Sequence, residues 1–331
     1  QITYDLYSRY RPSDISDASN SLLSITYSAN DRITSKTYDN GVNCNYQYNV
    51  NGNILSLSHT KNTNIIAGYS YIYDKAGNKL HRGNISDPLS SEEYTYDNNY
   101  QLTSYKKGSL LGNIIPSPTD NTQYNYDALG NRTTMLENSI STTYQSNNMN
   151  AYTQIVANST IVPTYDGNGN LTSNGAHTFG YDYNNQLLLV DGGNTAEYKY
   201  GPLGRRVQKT TANDTINYYY AGLQVIEERD ANDAVLATYV YGVGIDDIVN
   251  MERGGTDYYF HTDDLGSVSA VTDNNGSIVE AYEYDVFGLP TIKDASGNTL
   301  LSSAIGNTIM YTGRRWDSES ELYYYRARYY N

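Results

Sequence analysis

Two tyrosines separated by one residue, closed by an aspartate and followed by glycine and asparagine, recur along this chain. The clearest copy is Tyr124-Asn125-Tyr126-Asp127-Ala128-Leu129-Gly130-Asn131. On an extended backbone, side chains two residues apart share a face, so Tyr124 and Tyr126 mark one side of a strand. Asp127 can bond its own backbone and start a turn, while Gly130 and Asn131 tolerate the positive φ of tight hairpins. The arginine and threonines that follow read as the returning strand. The unit is strand, turn, strand, with a ring pair on one face.

The same stamp returns as Tyr46 and Tyr48 before Gly52-Asn53, and as Tyr71 and Tyr73 before Gly77-Asn78. It returns again as Tyr94 and Tyr96 before Asn98-Asn99, and with Phe179 and Tyr181 before Asn184-Asn185. Further copies carry Tyr165, the pair Tyr198 and Tyr200, and the pair Tyr282 and Tyr284. The second tyrosines Tyr48, Tyr73, Tyr96 and Tyr126 are 25, 23 and 30 residues apart. Spacing in the twenties marks a repeat architecture, in which each unit buries its face only against its neighbours. Helical spacing of apolar residues is nearly absent, and Gly and Asn interrupt it, so the expected class is all-β.

A repeat array of 331 residues reads as one continuous body rather than two ordinary domains. With 22 basic against 36 acidic residues the net charge is −14, which argues against a nucleic-acid partner. An acidic surface suits a soluble, edge-bearing β protein. Tyrosine supplies 38 residues against three Phe and one Trp, so stacked, half-wet rings are expected to carry much of the cohesion. Cys44 is the single cysteine, which excludes an intrachain disulfide and reads as a buried thiol. No run approaches the ~18 apolar residues of a membrane helix. Gln1 to Asp5 looks like the middle of a repeat strand, which suggests a processed chain or a piece of a longer one.

Along the chain, Asn40-Gly41 and Asn51-Gly52 read as hairpin-turn pairs. Between Lys106 and Asp120 a segment with Pro116 and Pro118 reads as a surface loop, and His81 to Ser91 as a loosened connection. More apolar strands follow Tyr218, with Ala231-Asn232-Asp233 as a turn. Residues 242–255 read as a Gly-rich lead into a final block. The expected division is a hairpin array over 1–255 and a distinct block over 256–331.

That block holds Tyr259-Phe260-His261-Thr262-Asp263-Asp264-Leu265-Gly266, then Tyr311-Thr312-Gly313-Arg314-Arg315-Trp316-Asp317. It closes on Leu322-Tyr323-Tyr324-Tyr325-Arg326-Ala327-Arg328-Tyr329-Tyr330. It resembles the core block that ends the Rhs, or YD-repeat, family, and the upstream stamps resemble that family's YD repeats. The resemblance spans essentially the whole chain and is most specific over the last 75 or so residues. It implies a spiral array of antiparallel hairpins, wound as a hollow shell or barrel-like solenoid. In bacterial toxin relatives the shell encloses a cargo attached after the core block, and in animal teneurins a similar barrel belongs to a surface adhesion protein. Some toxin relatives cut themselves there with aspartates of Asp-Pro-x-Gly-Leu motifs. The matching stretch Asp317-Ser318-Glu319-Ser320-Glu321-Leu322 has serine for the proline and glutamate for the glycine. A second motif is expected beyond Tyr330, and an aspartyl dyad needs two carboxylates. Self-cleavage by these residues is therefore not expected.

Asp317 is the one catalytic candidate, and its bland reading is a turn cap beside Trp316 and the arginines. His261 sits in the block, whereas His59, His81 and His177 lie in unrelated repeats, so no metal-ligand spacing emerges. No cofactor is expected. Arg314, Arg315, Arg326 and Arg328 suggest a ring-and-guanidinium stack closing the end of the array, with Arg326 and Arg328 on one face of an extended strand and Tyr325 and Tyr329 on the other. Asn84, Asn131, Asn158, Asn170, Asn213 and Asn275 each open an Asn-x-Ser/Thr triplet, a number that chance supplies in such a composition.

The leading functional expectation is a non-enzymatic scaffold, secreted or at the cell surface, whose partner is a C-terminal cargo or toxin domain. The alternative is a self-assembling filament or adhesion protein whose partners are copies of itself, joined by open edges or head-to-tail contacts. Glycan binding through the aromatic rings is a third reading, weakened by the single Trp.

Overall fold

The computed structural model describes residues 2–5, 11–17 and 20–330; Gln1, where the mid-repeat start was expected, and Asn331 lie outside them. Among these residues the chain is antiparallel β-sheet with three short 3₁₀ turns and no α-helix. A fifteen-stranded sheet runs from Ile2–Asp5 to Thr160–Ile161, and a thirteen-stranded one from Phe179–Tyr181 to Thr299–Leu300. In both, strand order follows sequence order. Two small sheets complete the set: Thr164–Tyr165 with Leu171–Ser173, and Arg315–Asp317 with Leu322–Tyr324 and Tyr329–Tyr330. The chain divides into two compact units, Gln1–Tyr69 with Tyr198–Asn331, and Ser70–Glu197.

The aspartate of the stamp shapes each turn. Asp127 Oδ1 accepts from the backbone N–H of Leu129 and of Asn131, both at 2.9 Å. Asp263 accepts likewise from Leu265 and Ser267 at 2.9 Å. Gly130 N–H donates to the Asp127 carbonyl at 3.1 Å while Asp127 N–H donates to the Asn131 carbonyl at 2.9 Å. This is a type I turn closed by a glycine bulge, and the strand register shifts at Asn125/Tyr126 to accommodate it. Only Gly130 takes positive φ, at 87°. Asn131 works instead by hydrogen bonds, giving its Nδ2 to Asp127 Oδ2 at 2.9 Å. Asn40-Gly41 and Asn51-Gly52 follow the same rule, with only Gly41 and Gly52 in the left-handed region.

The two tyrosines of a pair have different work. The first buries its ring: Tyr71, Tyr124, Tyr198 and Tyr282 are buried, and Tyr46 and Tyr94 half-buried. The second is half-buried at Tyr48, Tyr73, Tyr96, Tyr126, Tyr181, Tyr200 and Tyr284. At Tyr48, Tyr96, Tyr126, Tyr181 and Tyr284 its hydroxyl reaches back to the preceding hairpin. Tyr48 donates to the Ile33 carbonyl at 2.8 Å, Tyr96 to Lys79 at 2.9 Å, Tyr126 to Leu102 at 2.8 Å, and Tyr284 to Val268 at 2.7 Å. In each case the acceptor is the first residue past the turn of the hairpin before. A phenol does this because its ring is apolar and its tip polar. Within the pairs, the Tyr46 and Tyr48 centroids are 6.3 Å apart and nearly parallel, as pleat spacing requires.

Three segments differ from expectation. The lead over 242–255 contains the strand Ile248–Arg253, whose Ile248, Val249 and Met251 are buried, because its apolar run lies between the glycines rather than among them. The 106–120 segment is a loop, but Ile115 is buried and its N–H donates to Glu93 at 2.6 Å. His81 lies inside the strand Lys79–Asn84, and the loosened part is confined to a 3₁₀ turn at Pro88–Ser90 capped by Asp87.

In the first unit one apolar cluster joins Met251, Phe260, Val268, Val271, Trp316 and Tyr323 with their neighbours. A second joins Ile15, Leu23, Tyr38, Val42 and Cys44 to Val249 and Tyr259. Strands from the first fifty residues and from residues 248–262 therefore share one core.

Candidate functional site: buried arginines of the C-terminal block

Arg206 opens the strand Arg206–Thr210 directly after the Gly201–Arg205 turn and is 1% exposed. Its guanidinium carbon lies 4.4 Å from the Tyr324 ring centroid, 5.0 Å from Tyr198, 5.3 Å from Tyr218 and 5.9 Å from Tyr329. Asp317, at the end of Arg315–Asp317 and also 1% exposed, takes both guanidinium arms, Nη1 on Oδ2 and Nη2 on Oδ1, the latter at 3.1 Å. Lys209 Nζ is 3.0 Å from Asp317 Oδ1 and 2.9 Å from Glu319 Oε1. Burial pushes the Asp317 pKa up, but the Arg206 and Lys209 charges outweigh it and hold the carboxyl below its ordinary value. Burial likewise opposes the charge on Lys209, and Asp317 overrides it, keeping the ammonium charged.

A second cluster centres on Glu228 in the strand Gln224–Arg229. It accepts from Arg253 Nη2 at 2.6 Å and from Arg315 Nη1. Burial would raise its pKa; Arg315 and Arg253 overcome that and lower it. Arg315 also gives Nη1 to Thr308 Oγ1 at 2.9 Å and stacks 4.9 Å from the Tyr239 ring. A third centres on Asp246, which holds Arg314 Nη1 at 2.9 Å and Arg326 Nη2. Arg314 lies 5.0 Å over the Tyr325 ring. Gly313 has φ 69°, and a Cβ there would come within 2.6 Å of the Asp246 carbonyl, so glycine alone fits.

The sequence expectations meet this geometry unevenly. Asp317 caps its turn through the backbone, Ser320 N–H to Asp317 carbonyl at 3.2 Å, while its side chain is a buried counter-ion. Fixed as a carboxylate between two cations, it lacks the shared proton of a catalytic dyad. The expected ring-and-guanidinium stack exists for Arg314 and Arg315, with Arg206 at its centre. Arg326 and Arg328 do not share one face of a strand. Arg326 takes φ 61° in a turn closed by Tyr325 N–H on the Arg328 carbonyl at 2.9 Å, and Arg328 is exposed. The hairpin so formed pairs Tyr323 with Tyr330 and Tyr324 with Tyr329. Trp316 packs 4.6 Å from Tyr323, and Tyr330 hydroxyl donates to the Phe287 carbonyl at 2.6 Å. Gly266 takes φ 79° in the Asp263–Ser267 turn.

The histidines are not all apart. His261 and His59 rings are 5.0 Å from each other, and His261 is 4.9 Å from Tyr38. His59 Nε2 donates to the Thr262 carbonyl at 2.9 Å, and His261 Nε2 lies 2.8 Å from Thr272 Oγ1. No group of three His, Cys, Asp or Glu suited to a metal ion occurs among the described residues.

Sequence reasoning missed Arg206, Lys209, Glu228 and Asp246. A usable signal was present: four arginines near the end of an acidic β chain demand carboxylates.

The Teneurin YD-shell family model matches residues 66–306, more than half of the chain. The chain belongs to the YD-shell family. It is 36% identical over 218 residues to the tRNA3(Ser)-specific nuclease WapA of Bacillus spizizenii, covering 63% of this chain and 9% of that protein. It is 25% identical over 319 residues to the double-stranded DNA deaminase toxin A of Burkholderia cenocepacia, covering 87% of this chain and 20% of that one. Among solved structures it resembles the Tc holotoxin pore of Photorhabdus luminescens at a TM-score of 0.75 and 20% identity, over 100% of this chain and 18% of that one. The chain thus spans a small part of each, and the YD-shell is a hairpin scaffold. No helix among the described residues is long and apolar enough to cross a membrane.

Proposed function

We propose that this chain is a non-enzymatic wall segment of an exported YD-shell that encloses or presents a C-terminal cargo. One observation carries the reading: the last described strand, Tyr329–Tyr330, is tied into the array rather than frayed from it. Tyr329 hydroxyl lies 3.0 Å from Tyr200 hydroxyl and accepts from Arg206 Nη1 at 3.2 Å, while Tyr330 is bonded to Phe287. A segment joined there would leave from a fixed point on the wall.

Support comes also from the relatives. Their names denote nucleases and a deaminase toxin, and this chain corresponds to a tenth to a fifth of them. In this reading the toxic activity belongs to a cargo, and residues 1–255 and 256–331 serve as hairpin wall and closing block. Asp317, His261 and the block's arginines and tyrosines act structurally. Limited proteolysis of the full-length precursor tests it. A folded cargo protected relative to the same domain produced alone is the expected result; equal cleavage rates overturn the proposal.

A further inference from the structure

Two sheets meet inside the first unit with no backbone ladder between them, and a histidine from each stands at the meeting line. His59 lies in Ile54–Lys61 of the fifteen-stranded sheet, His261 in Thr256–Thr262 of the thirteen-stranded one, with ring centroids 5.0 Å apart. Side chains join the sheets here. His59 reaches the Thr262 carbonyl, Lys36 reaches Asp247, and Asn40 Nδ2 reaches Thr272 Oγ1 and the Asp273 carbonyl at 2.8 Å each. Around them Leu23, Tyr38 and Cys44 pack on Val249 and Tyr259.

Both rings are at most 1% exposed. Each spends Nε2 on a threonine oxygen, and each Nδ1 is buried with no hydrogen-bond partner among the described residues. A proton added at Nδ1 therefore makes a buried cation with nothing to bond it. The surroundings do not compensate. In its own sheet His59 pairs across to Cys44 and Cys44 to Lys36, so the charge in that row is itself positive, with Asp247 as its counter-ion. Tyr38, 4.9 Å from His261, is neutral. The turn aspartates next to the two threonines, Asp263 and Asp273, each bond the amides of their own turn. Protonating both rings would set two cations 5.0 Å apart.

We propose that this joint is an acid-operated seam: below neutral pH the two imidazoles take up protons, and the sheets part at His59 and His261 while the hairpins on either side stay folded. The ladder hydrogen bonds run within each sheet, so parting the sheets breaks none of them. Intact hairpins allow the seam to close again when the protons leave. The seam's chemistry is independent of whether a cargo is enclosed.

The chain's one cysteine supplies the probe. Cys44 is 0% exposed and its Sγ is 3.6 Å from His59 Nε2, so its labelling reads the opening of the seam. The whole chain is treated with 4,4′-dithiodipyridine at pH 7 and pH 5, and each rate is divided by that of N-acetylcysteine under the same conditions. With the His59 pKa at about 4 in the closed seam and 6.5 in the open one, the relative rate should rise ~20-fold from this ring alone. His261, also held low by burial, adds to the rise. Far-UV circular dichroism should not change over the interval. His59→Gln and His261→Gln should each shrink the rise, and the double variant should abolish it. A relative rate that stays level between the two pH values, a rise of equal size in wild type and both single variants, or a rise that comes with loss of the β spectrum overturns the seam. Should the variants fail to fold, the wild-type rings decide: NMR midpoints near 6.5 for both rings while Cys44 stays unlabelled overturn it as well.

Discussion

Acidification from neutral to pH ~5 is expected to weaken the first unit through His59. This ring is fully buried where the strand Ile54–Lys61 meets Thr262, and burial lowers its pKa from 6.5 to about 4. With Nε2 donating to the Thr262 carbonyl, the second proton would go to Nδ1, which is buried and has no partner among the described residues. Cys44 Sγ at 3.6 Å, the His261 ring and the charge of Lys36 offer a cation no help. Lys36 is itself matched by Asp247 at 2.9 Å. The folded pKa lies below the unfolded one, so between about 4 and 6.5 the unfolded chain binds more protons. Stability is therefore full above about 6.5 and is lost as pH falls toward 4. At ~1.4 kcal/mol per unit, the loss between pH 7 and pH 5 is about 2 kcal/mol from His59 alone. His261, whose pKa burial also lowers, acts in the same direction. The turn aspartates do not confuse the window, because Asp127 and its like, already held low by hydrogen bonds, lose stabilisation only below the ordinary carboxylate range. Urea unfolding at the two pH values, in wild type and in His59→Gln, measures the effect. The variant should lose about 2 kcal/mol less than wild type across the interval. Equal losses in the two proteins, or an NMR titration of the His59 ring with a midpoint near 6.5, would refute the reasoning.

Three other perturbations follow from the same geometry. Tyr284→Phe removes the hydroxyl bond to Val268 and should cost ~1 kcal/mol in urea unfolding, with an unchanged denaturant slope. Asp317→Asn leaves Arg206 and Lys209 facing a neutral amide in a buried site, so a loss of ~3–5 kcal/mol and a lower melting temperature are expected; a loss under ~1 kcal/mol would show the cluster is open to water. Tyr100 holds the bulge position of its turn at φ 63° and is largely exposed, so Tyr100→Gly should stabilise by ~1 kcal/mol, and destabilisation in thermal unfolding would contradict the strain argument.

Much of the hairpin logic was legible because it is local. The tyrosine spacing, the turn aspartate and the glycine act within eight residues, and period-two alternation fixes which side chains share a face. The fold class followed from that, and the structure bears it out. What the spacing leaves open is which distant strands meet. Arg206 and Asp317 are separated by 111 residues, and His59 and Thr262 by 203, so neither contact has a sequence period to betray it. The turn at Arg326 was illegible for a different reason: a non-glycine residue at positive φ carries no compositional mark, and the alternating Tyr325, Arg326, Ala327, Arg328 read as a strand.

The two kinds of cohesion divide along the same line. Between neighbouring hairpins the bond is neutral, a phenol hydroxyl on a carbonyl, worth ~1 kcal/mol and recurring at Tyr48, Tyr96, Tyr126, Tyr181 and Tyr284. Such a bond can be copied indefinitely, because each new hairpin brings its own donor and finds its acceptor already exposed by the last. It cannot close an array, since it specifies only the next neighbour. Where residues 314–326 meet the strands and turns of 206–253, the opposite device is used. Six cations, Arg206, Lys209, Arg253, Arg314, Arg315 and Arg326, meet four carboxylates, Asp317, Glu319, Glu228 and Asp246. Buried charges contribute little net stability but tolerate no wrong partner, because each mispairing strands an ion away from water. Breaking one tyrosine lock should therefore soften the array by a small additive step, whereas breaking one buried pair should cost several times more and couple strongly to its neighbours.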